Sequence, residues 1–397
     1  MENENTTEKY ELVATCMFGL EKTLGSEIDS LGLERVDTID GRVRFRGTAE
    51  DICRANIGLR TAERVCLLLG EPYAAGTFDE LFEGCRALPW ERFITRNGCF
   101  PVSGHSVKSA LTSIPDCQKI LKKAICVRLG EKFGLDILPE TGEKYPIEFL
   151  ILKDEAWLMI DTSGTALHKR GYRPVANQAP LRETLAAAMV MGARIKEDIF
   201  LWDPFCGSGT IVIEGAMLAA GIAPGLNRTF CSEDFRFIPA SAWINARNEA
   251  KSKISRDCGF RAKGTDIDPS CIKTAKENAK RAGVADFIDF EVADARKITP
   301  PVSTGEERIK GTLICNPPYG ERMMSLRDAE NLYRDIGKNF RQFERWQIYV
   351  LTSCEYFDRL FGRKSDKARK LYNGTIPCTL YQYFKPLDVV KNKRNFK

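Results

Sequence analysis

The sequence is poor in histidine and in paired cysteines. His105 and His168 are the only histidines among 397 residues, and none of the 14 cysteines belongs to a Cys-x-x-Cys pair. A zinc site needs clustered cysteine and histidine ligands, so the sequence predicts no metal centre. Single, scattered cysteines in a chain of this length are typical of reduced thiols, which predicts a cytoplasmic protein.

Long apolar runs are also missing. No stretch approaches the roughly 20 apolar residues that a membrane-spanning helix requires, and the polar start MENENTTEKYE predicts no signal peptide. The chain is 43% apolar and 28% charged, as globular proteins are, and its length predicts two or three domains. A net charge of +5 is small, so any nucleic-acid surface would be a local basic patch.

Composition divides the chain into five segments. The polar residues 1–9 are predicted to be a disordered tail, and short strands alternate with helices over residues 10–65, which predicts a small α+β unit. Residues 66–163 are predicted to form a second small unit. The polar, proline-bearing residues 164–180 are predicted to be a linker, and residues 181–397 show the longer strand–helix alternation of an α/β domain.

The stretch IFLWDPFCGSGTIVIEG predicts a strand, a glycine turn and a helix. Gly207 and Gly209 allow the backbone to approach a ligand closely, and the helix that begins near Thr210 offers free amides to polar ligand atoms. Asp203 precedes this turn. A glycine turn between a strand and a helix is typical of many nucleotide-binding folds, so this motif alone leaves the ligand open.

Three further predicted strands end on polar residues, which are Asp266, Asp294 and Asn316. The carboxyl ends of parallel strands meet at one edge of a sheet, where open α/β folds bind their ligands. The sequence therefore predicts that these residues and Asp203 share a site, whereas Asp268 is predicted to cap a helix. The distance from the glycine turn to Asp266 exceeds the usual spacing of about 20 residues, which predicts an insertion over GIAPGLNRTFCSEDFRFIPASAWINARN.

The motifs DPFCGSGT, GTDIDP, VADA and NPPYGER resemble those of class I S-adenosylmethionine-dependent methyltransferases. More specifically, they are similar to those of the RNA guanine-N2 methyltransferases of the RlmL/YpsC type, which carry a THUMP domain. The resemblance extends over nearly the whole chain, through LHKRGYR, APLRETLAAAMV, IAPGLNR and LYNGTIPCTLYQYF. It implies a Rossmann-like, seven-stranded, mostly parallel sheet after ferredoxin-like and THUMP subdomains, ending in an antiparallel hairpin that turns at Asn373–Gly374.

The resemblance also implies a cofactor and a catalytic group. S-adenosylmethionine would be the cofactor, with Asp266 on its ribose and Asp294 near its adenine. The Asn316 side-chain oxygen and the Pro317 carbonyl would accept the two hydrogens of the target amine, Pro318 would stiffen the turn, and Tyr319 would stack on the flipped base. The expected cofactor-binding residues are Asn177, Gln178, Leu181, Asp203, Phe205, Cys206, Gly207, Gly209, Thr210, Asp266, Ile267, Asp294, Ala295 and Asn316.

A basic helix is predicted over residues 116–130, with Ile120, Ala124, Ile125 and Val127 facing inward. Such charges are most often a solvated helix face. The resemblance to THUMP adds a functional interpretation, in which the helix and the residues before it contact RNA phosphates. The expected RNA-binding residues are His105, Lys108, Lys119, Lys122, Lys123 and Arg128.

The resemblance favours guanine N2 in 23S rRNA as the target and leaves several alternatives open. These are guanine-N2 methylation of tRNA, adenine-N6 methylation, protein glutamine methylation, and a non-catalytic RNA-binding or ribosome-assembly factor. A pyrimidine-C5 methyltransferase would need a nucleophilic cysteine, but Cys206 and Cys315 are predicted to be buried structural thiols. RNA is the expected partner, with neither metal nor membrane; the oligomeric state, monomer or weak dimer, stays open.

Overall fold

The computed structural model describes residues 8–174, 181–193, 195, 199–301, 310–319, 325–344 and 346–385. These residues fold as two compact units. The N-terminal unit comprises the described residues up to Cys16, Leu24–Leu167 and Gly225–Ser252. The C-terminal unit comprises Met17–Thr23 and the described parts of His168–Pro224 and of the chain from Lys253 onward.

One eight-stranded sheet runs through the N-terminal unit. Its order is β2-β3-β1-β4-β8-β7-β6, with β5 paired to β8. The predicted boundary between residues 65 and 66 falls inside β4, so the two small units expected from the sequence share this sheet. The strands are β1 (Tyr10–Cys16), β2 (Glu34–Ile39), β3 (Arg42–Gly47), β4 (Ala62–Leu68), β5 (Tyr73–Ala74), β6 (Val102–Val107), β7 (Ile147–Leu152) and β8 (Glu155–Asp161).

Two helices of the N-terminal unit begin at capping boxes. Thr48 and Asp51 form a capping box at the start of α2, and Thr77 and Glu80 form another at the start of α3. The basic helix is longer than predicted because Pro115 is tolerated in its first turn and Gly134, with a φ of 63°, ends it. The helices before the linker are α1 (Glu21–Ser30), α2 (Ala49–Gly58), α3 (Phe78–Ala87) and α4 (Ile114–Phe133).

From Gly225 onward, the predicted insertion packs as part of the N-terminal unit. The amide of Gly225 donates to the carbonyl of Ile57 at 2.9 Å, and the Ser232 hydroxyl donates to the carbonyl of Thr162 at 2.5 Å. Helix α7 (Ala240–Ser252) packs on α2. Residues 225–252 of the expected domain 181–397 therefore pack with the N-terminal unit.

The C-terminal unit contains the predicted seven-stranded sheet, in the order β11-β10-β9-β12-β13-β15-β14. The first five strands pair in parallel, whereas β15 runs antiparallel to both β13 and β14. The final hairpin turns at Gly374–Thr375, one residue later than predicted, because Asn373 still pairs with Ile376. The strands are β9 (Phe200–Asp203), β10 (Ala262–Asp266), β11 (Ile288–Val292), β12 (Gly311–Cys315), β13 (Gln347–Thr352), β14 (Lys367–Asn373) and β15 (Ile376–Tyr383).

Helices flank this sheet, and its buried core contains several aromatic side chains. Tyr333, Phe340, Phe357 and Trp346 are buried together with apolar residues of β12 and β13. The helices of this unit are α5 (Glu183–Gly192), α6 (Thr210–Ala219), α8 (Pro269–Ala282), α9 (Leu326–Asn339) and α10 (Phe357–Phe361). In the part of the chain that the structure describes, no helix is both long and apolar enough to cross a bilayer.

Part of the predicted linker is packed rather than solvated. Arg170 and Tyr172 are each 4% exposed, and both contact the buried carboxylate of Glu214 on α6. Arg170 and Tyr172 thus share a buried partner of complementary charge or hydrogen-bonding type, which the polar composition of the segment could not indicate.

Candidate active site

The C-terminal unit holds a cavity of about 760 Å³ at the carboxyl ends of its parallel strands. The chain order reverses between β9 and β12, so the cavity lies at the topological switch point of the sheet. The predicted residues that line it are Leu181, Asp203, Phe205, Cys206, Gly207, Thr210, Asp266, Ile267, Asp294, Ala295, Asn316, Pro317, Pro318 and Tyr319. Asn177 and Gln178 lie outside the described residues.

The glycine turn uses its two glycines differently. Gly207 has a φ of 50° and lines the cavity, and a Cβ on it would meet no atom within 4 Å, so open space lies beside its backbone. Gly209 has a φ of 84°, caps α6 and does not line the cavity. A Cβ on Gly209 would approach the Ala275 Cβ at 3.1 Å, so this glycine serves close packing and helix initiation rather than ligand contact.

Asp203 is the buried acid of the site, only 1% exposed. Its carboxylate accepts a hydrogen bond from the Phe205 amide at 3.0 Å. Burial raises the pKa of Asp203 well above its ordinary range, and the neighbouring charge of Asp266 raises it further. The cavity therefore holds an acid that a cationic ligand would stabilise in its ionised form.

The carboxylate of Asp266, at the end of β10, is hydrogen-bonded to the glycine turn. Its Oδ2 accepts from the Gly207 amide at 2.9 Å, and its Oδ1 accepts from the Asp268 amide at 3.0 Å. These bonds fix the carboxylate at the end of β10 with acceptor sites left over for ligand hydroxyls. Asp268 accepts from the Ser270 amide and caps α8, as predicted, although it also lines the cavity.

Asn316 follows the buried strand β12, and Pro317 and Pro318 follow it in the cavity wall. The Tyr319 hydroxyl donates a hydrogen bond to the Asn316 side-chain oxygen. The Pro318 carbonyl accepts from the Tyr333 hydroxyl of α9 at 2.8 Å, which anchors the turn to the core. The prolines and this anchor hold the Asn316 amide at the cavity wall.

Two thiols lie close to the site but are not poised to react. Cys206 is buried, Cys315 is fully buried, and burial raises the pKa of both thiols well above the ordinary value. A nucleophilic cysteine needs a lowered pKa and some exposure. Neither thiol fits the role that a pyrimidine-C5 methyltransferase would require.

Sequence reasoning missed the contribution of α9 and a buried arginine. Arg173 donates to the Leu181 carbonyl at 3.0 Å and to the Thr210 hydroxyl at 2.8 Å, and so ties two cavity-lining residues together. On α9, Asp328, Asn331 and Asp335 line the cavity. Their spacing of three and four residues places them on one face of the helix, and it is the only sequence signal that could have indicated this. The lining residues that were not predicted are Pro204, Ser208, Ile211, Asp268, Cys271, Arg296, Asp328, Asn331, Leu332, Asp335, Asn373 and Ile376.

The candidate RNA-binding residues lie in the N-terminal unit and fall into two groups. His105, Lys108, Lys119 and Lys123 are exposed. Lys122 and Arg128 were predicted to face solvent but are half-buried, because Lys122 pairs with Glu140 at 2.6 Å and Arg128 pairs with Glu91 at 2.6 Å.

The inward face of α4 is also rotated relative to the prediction. Ala124 and Ile125 face inward as predicted, whereas Ile120 and Val127 are only half-buried. The buried residues of α4 are Cys117, Leu121, Ala124, Ile125 and Leu129.

Three family models match the chain. The model described as "RMKL-like, methyltransferase domain" matches residues 170–382, more than half of the chain. The chain belongs to the RMKL-like methyltransferase family. The RlmL ferredoxin-like domain matches residues 11–66 of this methyltransferase, and the THUMP domain matches residues 75–161. The predicted family and fold class are confirmed.

Similar proteins extend over nearly the whole methyltransferase chain. The putative RNA methyltransferase YpsC of Bacillus subtilis (strain 168) is 44% identical over 97% of this chain and 98% of its own length. The ribosomal RNA large subunit methyltransferase K/L of Psychromonas ingrahamii is 35% identical over 92% of this chain, which spans 49% of that relative. The solved structure of SMU.472, a putative methyltransferase complexed with SAH, has a TM-score of 0.87 at 38% identity, and covers 95% of this chain and 98% of its own.

Proposed function

We propose that this RNA methyltransferase transfers the methyl group of S-adenosylmethionine to the N2 amine of a guanine in large-subunit rRNA. The observation that carries the proposal is that Asn316 lines the same cavity as Asp203 and Asp266. The acids and the glycine turn offer a site for a cationic nucleoside cofactor, and Asn316 offers an acceptor for the amine that reacts. The names of the K/L relatives support rRNA as the substrate, although this chain spans about half of their length.

The lining of the cavity fits S-adenosylmethionine. The cofactor supplies an electrophilic methyl group on a positively charged sulfonium. Asp266 would accept from the ribose hydroxyls, the open space beside Gly207 would admit the cofactor close to the backbone, and Asp203 would pair with a cationic group. Acidic residues predominate among the charged lining residues that the structure describes, which suits a cationic ligand.

Asn316 and Pro317 would act on the target base. The lone pair of an exocyclic amine is delocalised into the ring, which makes the amine a weak nucleophile. Hydrogen bonds from its two hydrogens to the Asn316 Oδ1 and the Pro317 carbonyl would favour a pyramidal nitrogen whose lone pair is directed at the methyl group. The turn that holds Asn316 is stiffened by two prolines, so the contribution is positioning and electrostatic stabilisation.

The reaction needs no strong base in the protein. The amine nitrogen becomes acidic only after it has been methylated, and its proton can then pass to water. The buried thiols Cys206 and Cys315 do not take part. Tyr319 lies three residues from Asn316, where its ring would stack on a base turned out of the RNA.

Two other targets and one different class remain as alternatives. The Asn-Pro-Pro-Tyr turn would also suit the N6 amine of adenine, and a THUMP domain would also suit tRNA. A non-catalytic RNA-binding or assembly factor would have no need of a cavity that combines Asn316 with the acidic and glycine-bearing edge of the sheet.

The test uses the full chain with labelled S-adenosylmethionine and total RNA from a strain that lacks the gene. The large-subunit rRNA, small-subunit rRNA and tRNA are separated after the reaction and digested to nucleosides. Label in N2-methylguanosine of the large-subunit rRNA is expected. Label in N6-methyladenosine or in tRNA would replace the proposed target with an alternative. Tight binding of S-adenosylhomocysteine without transfer to any RNA would contradict the proposed RNA substrate.

A further inference from the structure

Arg296 occupies a distinctive place in the cavity wall. Of the lining residues that the structure describes, it is the one with a basic side chain. The methyl transfer outlined above does not use it. Its side chain is 46% exposed, so core packing does not explain why it is held in a fixed position.

The guanidinium of Arg296 clamps the carboxylate of Asp294. Its Nε lies 2.9 Å from Oδ1 and 3.0 Å from Oδ2, and its Nη2 donates to Oδ2 at 2.7 Å. The backbone amide of Arg296 donates to Oδ1 at 2.9 Å. Hydrogen bonding from Arg296 holds the pKa of Asp294 below its ordinary range, so this carboxylate stays ionised at neutral pH.

The hydrogen bonds from Arg296 leave part of the Asp294 carboxylate able to accept from a ligand. An ionised carboxylate has about four acceptor sites on its two oxygens. Three hydrogens of Arg296 occupy sites on Asp294, from the amide, Nε and Nη2. About one acceptor site therefore remains on a carboxylate that is fixed in direction and lines the cavity.

The position of Asp294 in the sheet identifies the group that this site would meet. Asp294 follows β11, which is the strand beside β10, and Asp266 ends β10. With the ribose of the cofactor at Asp266, as the proposed function requires, the adenine can reach the end of β11. The adenine carries one amine, and an ionised carboxylate is an acceptor suited to it.

We propose that Arg296 is a positioning residue for adenine recognition: it fixes the Asp294 carboxylate so that its remaining lone pair accepts a hydrogen bond from the cofactor amine. The inference rests on the proposed function, since it presumes a nucleoside cofactor in this cavity. Arg296 acts through Asp294 and does not itself contact the reacting atoms.

The test measures binding by calorimetry with the full chain and two ligands. S-adenosylhomocysteine carries the adenine amine, and S-inosylhomocysteine has a carbonyl oxygen in its place, which would face the carboxylate unfavourably. The proteins are the wild type, Arg296→Met, Asp294→Asn and the double variant. We expect Arg296→Met to weaken S-adenosylhomocysteine binding about tenfold, the order expected for one hydrogen bond to a charged group.

The double variant distinguishes positioning from an independent contact. In the Asp294→Asn background, Arg296→Met is expected to change S-adenosylhomocysteine affinity by less than about twofold, because the group it positions has gone. Arg296→Met is also expected to lower the preference for the adenine ligand over the inosine ligand, and Arg296→Lys to restore part of it. Arg281→Met is the matched control, since Arg281 is 44% exposed, pairs with Glu277 and does not line the cavity.

Several outcomes would overturn the inference. Equal losses from Arg296→Met in both backgrounds would show that Arg296 acts independently of Asp294. Unchanged affinity and unchanged ligand preference in Arg296→Met would remove its role altogether. Wild-type protein that binds neither ligand would overturn the proposed function as well, whereas wild-type binding with additive losses overturns this inference alone.

Discussion

The hydroxyl of Tyr319 donates a hydrogen bond to the side-chain oxygen of Asn316, the atom proposed to accept a hydrogen from the target amine. An amide oxygen has two lone pairs, so Tyr319 occupies one of the two acceptor sites and leaves one. The hydroxyl therefore either orients the Asn316 amide for the substrate or competes with the substrate for it. The aromatic ring of Tyr319 is proposed to have the separate role of stacking on the base.

Two substitutions at Tyr319 separate the hydroxyl from the ring. We expect Tyr319→Phe to keep the stacking surface and to change kcat/KM by less than about fivefold, whereas Tyr319→Ala should lower it by about 10- to 100-fold, the range for one lost stacking contact. Labelled methyl transfer on the RNA substrate measures both. Equal losses in the two variants would mean that the hydroxyl, not the ring, carries the role of Tyr319.

Asn316→Ala is expected to impair methyl transfer without impairing cofactor binding. The variant should lose methyl transfer by about 100-fold or more, since it removes the acceptor proposed for the reacting amine. Affinity for S-adenosylhomocysteine, measured by calorimetry, should stay within about threefold of wild type. Near-normal turnover in Asn316→Ala would refute the amine-positioning mechanism.

Asp266→Ala should weaken cofactor binding by about 1–3 kcal/mol, the cost of leaving buried polar partners unmatched. The structure adds a second cause, because the amides of Gly207 and Asp268 would also lose their acceptor. Asp266→Asn keeps one carbonyl oxygen and should lose less. Calorimetry that gives wild-type affinity for Asp266→Ala would remove this residue from the site.

Asp203 is expected to destabilise the ligand-free protein at neutral pH. Its pKa is raised in the folded state, so the folded protein binds more protons than the unfolded chain above the ordinary aspartate pKa of about 3.9. The contribution of this residue to the free energy of unfolding therefore falls as the pH rises toward the raised pKa. Asp203→Asn should stabilise the ligand-free protein, and by more at pH 8 than at pH 5.

Urea unfolding at the two pH values measures this effect, with the exposed Asp286→Asn as control. Asp203→Asn should also weaken S-adenosylhomocysteine binding, since it removes the negative charge that a cationic group of the ligand would meet. A variant that is less stable than wild type at pH 8 would contradict the burial argument. The expected pattern is a residue retained for binding at a cost in stability.

The strand ends could be predicted from the sequence, whereas long-range pairs could not. Asp203 and Asn316 each follow a short apolar run, Asp266 and Asp294 each follow a more polar predicted strand, and sheet geometry alone brings such positions to one edge. The burial of Arg170 depends on Glu214, which is 44 residues away, so no local pattern indicates it. Composition described that segment as a polar linker because it records polarity and not the partner that satisfies it.

In the N-terminal unit, too, long-range contacts could not be predicted from the sequence. The segment 225–252 follows α6 in sequence, and its composition predicts that it packs with its neighbours along the chain, yet it donates hydrogen bonds to Ile57 and Thr162. On α4, helical periodicity located the charged face but could not reveal that Glu140 and Glu91 would reach two of its cations. Periodicity reports which side of a helix is polar, and only the fold determines which charges remain for a partner.

The difference between the exposed and the half-buried cations of α4 yields a prediction about RNA binding. Lys119 is 79% exposed and makes a long pair of 3.8 Å with the exposed Asp116, and Lys123 is also exposed, so both side chains can reach phosphates. Lys122 donates to Glu140 at 2.6 Å and to the Phe100 carbonyl at 3.1 Å, and its Nζ lies 3.5 Å from the centre of the Phe100 ring. The ammonium group of Lys122 therefore interacts with partners inside the N-terminal unit.

The pair of variants Lys119→Gln with Lys123→Gln should therefore weaken RNA binding and lower the log–log salt slope by up to about 2. Lys122→Gln should instead lower the thermal stability and leave the salt slope within about 0.5 of wild type, because its partners lie inside the fold. Filter binding of the substrate RNA at several salt concentrations measures the slopes, and S-adenosylhomocysteine affinity should not change in either protein. An unchanged slope in the Lys119 and Lys123 variant would return these lysines to the solvated face of an ordinary amphipathic helix. The search for the RNA-binding surface would then move to His105 and Lys108, which are exposed on the edge strand β6 and just beyond its end.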